Sequence, residues 1–298
     1  MGRTRKAGII GVDWIGLTPV AFVGLWSTGF IGAKYGLPYA EPITFLLVRL
    51  SLVAALLCLL ALATRAPWPR RAMDVAHVCV AGLLVHGAYL GGVFAAIDRG
   101  LPAGVTALVV GLQPLLTATL VGPLLGERVT SQQWAGFALG LCGVLLVVWE
   151  KLALGAGQAA SLGLALFALL GITAGTIYQK RFCGGMDLRT GTAIQYAATS
   201  VPLAAIALTT ETMAISWTGD FIFALAWLSL VLSVGAIFLL FLLIRRGAAA
   251  KVASLFYLVP PVTALIAWLM FDERLGPSAL AGMAIAAAGV ALVNRRAS

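Results

Sequence analysis

The sequence predicts an all-α membrane protein in which ten transmembrane helices form two inverted five-helix repeats around a central cavity, with both termini in the cytoplasm. Three observations predict this fold: the apolar composition, an internal repeat and the distribution of basic residues. Hydrophobic residues make up 61% of the 298 positions and charged residues only 10%, and the mean hydropathy is +1.01. A soluble fold of this length could not bury so much apolar surface.

An internal repeat divides the chain. Gly126-Glu127-Arg128 recurs 146 positions later as Asp272-Glu273-Arg274. The same offset relates further pairs, namely Lys34 with Lys180, Glu41 with Asp187, and Arg49 with Gln195. We therefore predict two domains, residues 1–150 as the first five-helix repeat and residues 151–298 as the second.

Ten apolar stretches approach the length of about 20 residues that crosses a bilayer. Those of the first repeat are 14–34, 42–63, 73–97, 102–123 and 131–149. Those of the second repeat are 159–179, 190–210, 220–244, 249–270 and 276–294. Each must be a helix, because the bilayer core offers no hydrogen-bond partners to the backbone. Since five is odd, the second repeat is inverted, and the two halves can exchange inward-open and outward-open shapes.

The basic residues predict the orientation. With the N-terminus inside, 15 of the 20 Lys and Arg lie in cytoplasmic segments, four lie outside and Arg49 lies within a span. The net charge of +9 is therefore a topology signal, and we expect membrane lipid and no nucleic acid as a partner. The four cysteines share no CxxC spacing, so we expect neither a metal nor another cofactor.

The first three helices carry four candidate site residues. Trp26 stands among glycines in helix 1, where it is either a core residue or a gate and ring-stacking surface. Arg49 lies seven residues after Pro42, roughly 10 Å along helix 2, and either extends to the interface or faces the cavity and attracts a carboxylate. His86 and Tyr89 in helix 3 are large polar groups that facing lipid would leave unpaired.

Helices 4 and 9 carry prolines near mid-span at repeat-related positions, Pro114 in one and Pro260-Pro261 in the other. Each proline removes an amide donor and clashes with the preceding turn. A static kink explains any one of them, but their paired positions favour a hinge. The neighbouring polar residues Gln113 and Tyr257 are predicted to line the substrate site.

Helices 5 and 10 are rich in small residues. Helix 5 contains Gly136-x-x-x-Gly140, and helix 10 contains small residues around Ala284 and Ala288. Such surfaces favour close helix contacts. These contacts form either within one chain or between two chains, so both a monomer and a homodimer remain open.

The order of the spans, the inverted repeat, the repeated Glu-Arg motif after the fourth and ninth spans and Arg49 in the second span together resemble the drug/metabolite transporter superfamily. The resemblance covers the whole chain and is to its ten-helix EamA-type members. Within these, the chain is similar to the bacterial aromatic amino-acid exporters of the YddG type. This resemblance implies a central cavity between helices 1–4 and 6–9, with helices 5 and 10 at the periphery.

We therefore expect a multi-pass protein of the bacterial inner membrane that exports amino acids, aromatic or other neutral, by alternating access. The direction of export follows from the resemblance alone. All 11 Asp and Glu lie in loops or at span ends, so we expect no obligatory proton coupling.

The alternative is a proton-coupled multidrug or metabolite exporter of lipophilic cations. Its small relatives use a glutamate in the first helix, where this chain has Trp26 and Ser27. We expect no enzyme, because the chain has neither GxSxG nor HExxH nor paired acids within a span.

Overall fold

A computed structural model describes residues 14–117, 120, 130–152, 156–236 and 256–294 of the chain. Within these residues the chain is helical, apart from an isolated antiparallel bridge between Ala40 and Ile215. The helices of the first half are α1 Trp14–Gly36, α2 Pro42–Ala63, α3 Ala72–Asp98, α4 Ala103–Val110 and α5 Ser131–Leu152. Those of the second half are α6 Ala156–Phe182, α7 Leu188–Thr210, α8 Gly219–Ala226, α9 Val259–Phe271 and α10 Pro277–Asn294.

Each predicted span overlaps one of these helices over its described residues. Four of the described helices are long and apolar enough to cross a membrane: Pro42–Ala63, Ala72–Asp98, Ala159–Phe182 and Leu188–Thr210. The shorter apolar helices are Ala103–Thr117, Trp134–Gly143, Gly219–Ser233, Val259–Phe271 and Pro277–Gly289. The predicted helical fold is confirmed, whereas the number of crossings and the side on which the termini lie stay predictions.

Three helices of the first half, α2, α4 and α5, pack against their equivalents α7, α9 and α10 in antiparallel pairs. In the α2–α7 pair, the backbone N–H of Ile43 at the start of α2 donates to Glu211 at the end of α7. At the other end of the pair, the hydroxyl of Thr190 near the start of α7 donates to the carbonyl of Pro67 just after α2. An antiparallel pairing of equivalent helices is what an inverted repeat requires.

The other helices of each half pack against helices of the opposite half, and these contacts are equivalent in the two halves. Helix α1 packs on α8 and α9, and its equivalent α6 packs on α3 and α4. Helix α3 also contacts α7, just as its equivalent α8 contacts α2. This pattern is expected of two halves related by a pseudo-two-fold axis.

The glycines of α5 and α10 face each other within one chain. A Cβ atom on Gly143 would lie 2.4 Å from the carbonyl oxygen of Gly282, and one on Gly289 would lie 2.6 Å from that of Gly136. Only glycine permits this approach, so the small-residue surfaces predicted from the sequence are used inside the chain. The oligomeric state stays open.

Irregular turns occur at equivalent places in both halves. A π-helical segment, Leu83–Ala88, interrupts α3, and a longer one, Trp227–Ala236, continues α8. A break at Gly111 and Leu112 separates α4 from a short helix over residues 113–117. A 3₁₀ turn, Phe256–Leu258, precedes α9. Such interruptions within apolar helices commonly accompany functional sites.

Candidate functional site

A central cavity of about 190 Å³ lies between α1, α2, α3, α6, α7 and α8. It is several times larger than the space that one water needs, so it has room for a small organic molecule. Its lining is mostly apolar and aromatic, with a few polar groups, as is usual for small-molecule sites. The lining residues are Trp26, Gly29, Phe30, Arg49, Val85, His86, Tyr89, Leu90, Val93, Phe94, Ile172, Tyr196, Leu232 and Ser233.

Four of the residues singled out from the sequence meet in this lining: Trp26, Arg49, His86 and Tyr89. Gln113 does not line the cavity, in contrast to the expectation. Its side-chain amide donates instead to the hydroxyl groups of Thr117 at 3.1 Å and Thr176 at 3.4 Å, between α4 and α6. For Tyr257 the structure describes the backbone turn, and its side chain lies outside the described residues.

The three prolines lie at helix starts. Pro114 lies in the short helix that follows the break in α4, and Pro260 and Pro261 lie in the first turn of α9. In the first turn a missing amide donor costs no hydrogen bond. Pro260 and Pro261 line a separate, small void of about 10 Å³ beside α10. The prolines therefore mark helix interruptions, and their role as hinges stays a prediction.

Arg49 is the cationic group of the cavity. Its residue surface is only 4% exposed, and its Nε atom is buried without a hydrogen-bond partner. The described part of the chain places no carboxylate within ion-pair distance of it. A buried guanidinium without an anion is costly, so the site is suited to receive an anionic group.

His86 lies on the π-helical segment of α3 and faces α7. Its Nε2 atom lies 3.2 Å from Oε1 of Gln195, and its ring packs on that of Tyr196 with a centroid distance of 4.2 Å. Gly82, one turn earlier, makes this approach possible, because a Cβ atom there would lie 2.7 Å from the Gln195 backbone. The imidazole is therefore held by α7 on one side and exposed to the cavity on the other.

Trp26 belongs both to the packed interior and to the cavity wall. Its ring contacts Phe256 edge-on at 5.0 Å and Phe22 at 5.4 Å. Trp26 thus packs in the interior and also lines the cavity, and its role as a gate or ring-stacking surface stays a prediction. Close by, the indole N–H of Trp227 donates to the hydroxyl of Thr28 at 2.9 Å, which ties α8 to α1.

The internal repeat explains how these residues come together. Adding the offset of 146 positions relates Trp26 to Ile172 and His86 to Leu232, and all four line the cavity. Arg49 is related in the same way to Gln195, which bonds to His86. The first half thus supplies the bulky polar and aromatic members of each pair, and the second half supplies aliphatic or amide members.

The other ten lining residues were not among the site residues predicted from the sequence, and four of them show why. Tyr196 follows the repeat partner of Arg49, and this neighbourhood is the signal that could have identified it. Phe30 lies one turn after Trp26 on the same helix face. Leu232 and Ser233 belong to the π-helical segment of α8, whose altered register a regular helical projection does not predict.

A bundle of apolar helices built from two inverted repeats around a central cavity is the architecture of many integral membrane transporters. The EamA-like transporter family matches residues 14–149 and again residues 160–295. The chain therefore belongs to the EamA family, and its two halves each carry one copy of the family domain.

Several curated relatives match nearly the whole chain at low identity. The probable terminal-alkyne amino-acid exporter of Streptantibioticus cattleyicolor is 28% identical, over 93% of this chain and 92% of the relative. The probable amino-acid metabolite efflux pump of Escherichia coli is 26% identical, over 87% and 88% respectively. The uncharacterized transporter YvbV of Bacillus subtilis is 27% identical, over 91% and 88%.

The crystal structure of another protein also matches this chain. The match covers 93% of this chain and 96% of the other, with a TM-score of 0.64 and 18% sequence identity. At this identity the likeness shows the fold alone.

Proposed function

We propose that this transporter exports neutral amino acids, with aromatic or large apolar side chains, across the bacterial inner membrane by alternating access. The observation that carries the proposal is Arg49, a buried guanidinium that lines the cavity without an anionic partner among the described residues. A guanidinium binds a carboxylate through two parallel hydrogen bonds. Arg49 therefore holds the carboxylate of the substrate.

The walls of the cavity support an apolar side chain on the substrate. Trp26, Phe30 and Tyr89 from the first half face Ile172 and Leu232 from the second. Aromatic rings bind other rings through offset or edge-to-face contacts and bind aliphatic groups through their faces. The names of two relatives, a probable terminal-alkyne amino-acid exporter and a probable amino-acid metabolite efflux pump, support this class of substrate.

We propose that the substrate moves down its own concentration gradient by facilitated transport, without obligatory coupling to protons. Carriers that exchange protons place a titratable acid in the pathway, where substrate and proton compete. All 11 acids of this chain lie in loops or at predicted span ends. Among the described residues, the lining of the central cavity therefore has no carboxylate that could alternate between proton and substrate.

Counterflow in liposomes tests the substrate and the role of Arg49. The purified full chain is reconstituted with internal L-phenylalanine, and uptake of labelled L-phenylalanine is measured without a pH gradient or membrane potential. Parent protein should accumulate label. Arg49→Gln should raise KM by about a hundredfold, because removing one partner of a buried ion pair costs roughly 3 kcal/mol or more. Arg49→Lys should be intermediate, since it keeps the charge but loses the planar fork.

Arg70→Gln is the matched control, because Arg70 is exposed in the loop between α2 and α3. It should transport like the parent. The alternative function makes the opposite predictions. Uptake of tetraphenylphosphonium driven by an imposed proton gradient, unchanged by Arg49→Gln and without amino-acid counterflow, would contradict the proposal.

A further inference from the structure

The second charged group of an amino acid needs a partner in the cavity. Arg49 can serve the carboxylate, but an ammonium group desolvated in the cavity requires a hydrogen-bond acceptor. The hydroxyl of Ser233 donates to the carbonyl of Leu228 at 3.1 Å, and its oxygen can still accept, but a hydroxyl oxygen is a much weaker base than a neutral imidazole nitrogen. The imidazole of His86 is the nitrogen acceptor that the described lining offers.

The hydrogen bond between His86 and Gln195 determines which ring nitrogen can accept. Oε1 of Gln195 is a carbonyl oxygen and can only accept, so Nε2 of His86 carries the proton. In that tautomer the lone pair is on Nδ1. No described residue donates a hydrogen bond to Nδ1, so it is free to accept one from a ligand in the cavity.

Gln195 is itself held in place by three contacts. Its side-chain nitrogen donates to Oε1 of Gln179 at 3.3 Å, which orients the amide. Its backbone carbonyl accepts from the hydroxyl of Thr199 at 2.8 Å. The residue is 3% exposed, and its backbone touches Gly82 of α3. The backbone contacts fix the position of the residue, and the hydrogen bond to Gln179 keeps the amide oxygen turned toward His86.

We propose that His86, held in its Nε2–H tautomer by Gln195, accepts a hydrogen bond from the ammonium group of the substrate, and that Gln195 is the positioning residue for this contact. The assignment rests on the proposed function, because it requires a zwitterion whose carboxylate binds Arg49. It divides recognition between the halves: α2 and α3 hold the two charged groups, and α7 orients the acceptor.

The charged and titratable groups around His86 favour a neutral imidazole. Arg49 faces it from α2, Tyr89 from its own helix and Tyr196 from α7. The described residues bring no carboxylate to this place. A cationic imidazole would lie beside a guanidinium and would repel the ammonium group, so the neutral acceptor is the form that can bind.

The test replaces Gln195 with an acid of the same size. L-phenylalanine counterflow is measured for the full chain at equal pH on both sides, from about pH 8 to about pH 5.5. Parent counterflow should stay flat. Gln195→Glu places a carboxylate against Nε2 and stabilises the imidazolium, so counterflow should fall about tenfold on acidification as the competent fraction decreases. Gln195→Met should raise KM at every pH without changing the shape of the profile.

Gln113→Glu is the control for placing an acid among these helices, because Gln113 lies outside the cavity lining. Its pH profile should be flat. Competition by 3-phenylpropionate, which lacks the ammonium group, should strengthen relative to L-leucine in Gln195→Glu at low pH. A flat profile for Gln195→Glu, or an equal fall in Gln113→Glu, overturns the assignment while amino-acid counterflow by the parent stands. Absence of counterflow in the parent overturns the proposed function and this assignment together.

Discussion

The two ends of the α2–α7 pair start from the same sequence pattern and are closed differently. At one end, α2 begins at Glu41-Pro42-Ile43-Thr44; at the other, α7 begins at the repeat-related Asp187-Leu188-Arg189-Thr190. We name these the Glu211 end and the Asp187 end, after an acid at each. The comparison shows which end of the bundle is held shut in this conformation.

Carboxylates cross between the halves at the Glu211 end. Glu211 accepts from the backbone N–H groups of Ile43 at 2.8 Å and Thr44 at 2.7 Å, and from the Thr44 hydroxyl. Glu41 accepts in return from the backbone and hydroxyl of Thr212, both at 2.7 Å. Each acid thus satisfies donors of the opposite half.

The contacts between other helices at this end also join the two halves. Lys34 at the end of α1 forms an ion pair with Glu273, just after α9. The same carboxylate accepts from the backbone N–H of Ala103 at the start of α4. Asp220 accepts from the hydroxyl groups of Tyr35 and Tyr39.

At the Asp187 end the acid stays within its own helix. Asp187 caps α7 by accepting from the backbone N–H groups of Arg189 and Thr190, and it pairs with the Arg189 guanidinium at 2.8 Å. At this end of the α2–α7 pair, the Thr190 hydroxyl donates across to the carbonyl of Pro67 in the other half, at 2.9 Å.

The difference between the ends follows from two substitutions within the repeated pattern. Arg189 holds its neighbouring acid, whereas the equivalent residue Ile43 has no charge to offer Glu41. A glutamate is also one methylene longer than an aspartate and reaches across to Thr212. The hydrogen bonds that the Glu41 and Glu211 carboxylates make between the halves therefore close the Glu211 end. The distribution of basic residues predicts that this end is extracellular.

Removing both crossing carboxylates should have the largest effect on this comparison. Glu41→Ala combined with Glu211→Ala should lower the free energy of unfolding by about 3 kcal/mol. This is about 1.5 kcal/mol for each acid, the low end for bonds to charged groups because both acids are partly exposed. Thermal unfolding in detergent, followed by tryptophan fluorescence, measures the change.

Thr190→Val is the matched control at the opposite end, where it removes one neutral hydrogen bond between the halves and should cost about 1 kcal/mol. A loss from Thr190→Val equal to that of the double variant would mean that the two ends are tied equally.

Replacing Asp187, the acid that bonds within α7, should have a smaller effect on stability, and this effect should depend on pH. The hydrogen bonds from Arg189 lower the pKa of Asp187 from 3.8 to about 2. Because the folded pKa lies below the unfolded one, the ionised acid stabilises the fold above about pH 4, and this stabilisation is lost as the pH falls toward 2. Asp187→Asn should therefore lower the melting temperature slightly at pH 7, by an amount that shrinks on acidification.

Arg189→Gln provides the comparison for Asp187→Asn, since it removes the other member of the pair. It should lose the same pH-dependent contribution to the melting temperature. A difference between parent and Asp187→Asn that stays constant from pH 7 to pH 3 would show that the pair with Arg189 does not stabilise the fold.

The helical fold followed from the sequence because apolar length and an odd number of spans per repeat leave few arrangements. The inverted pairing of α2 with α7 needed only the repeat and the membrane. The offset of 146 positions also related Arg49 to Gln195 before any contact was known. The crossing bonds of Glu211 could not be predicted, because they depend on side-chain reach across a junction between distant segments.

The site was partly predictable. Arg49, His86 and Tyr89 are large polar residues within apolar helices, and such residues face the interior for physical reasons that the sequence shows. Gln113 also faces the interior, but its side chain donates hydrogen bonds to Thr117 and Thr176 away from the cavity. The rule says that a polar group needs a partner, and it does not say whether that partner is the substrate or a neighbouring helix.

The most direct test of alternating access measures both ends of the bundle in one protein. Spin labels replace Arg99 and Trp217 at the Glu211 end, or Arg70 and Arg181 at the Asp187 end, in a background without native cysteines. Distance distributions are recorded in liposomes with and without L-phenylalanine, for the parent and for the Glu41→Ala, Glu211→Ala variant. We expect the variant to lengthen the distance at the Glu211 end and shorten it at the Asp187 end, with substrate shifting both populations in opposite directions. Distances that lengthen together at both ends, or that do not respond at either end, would contradict transport by alternate opening around the central cavity.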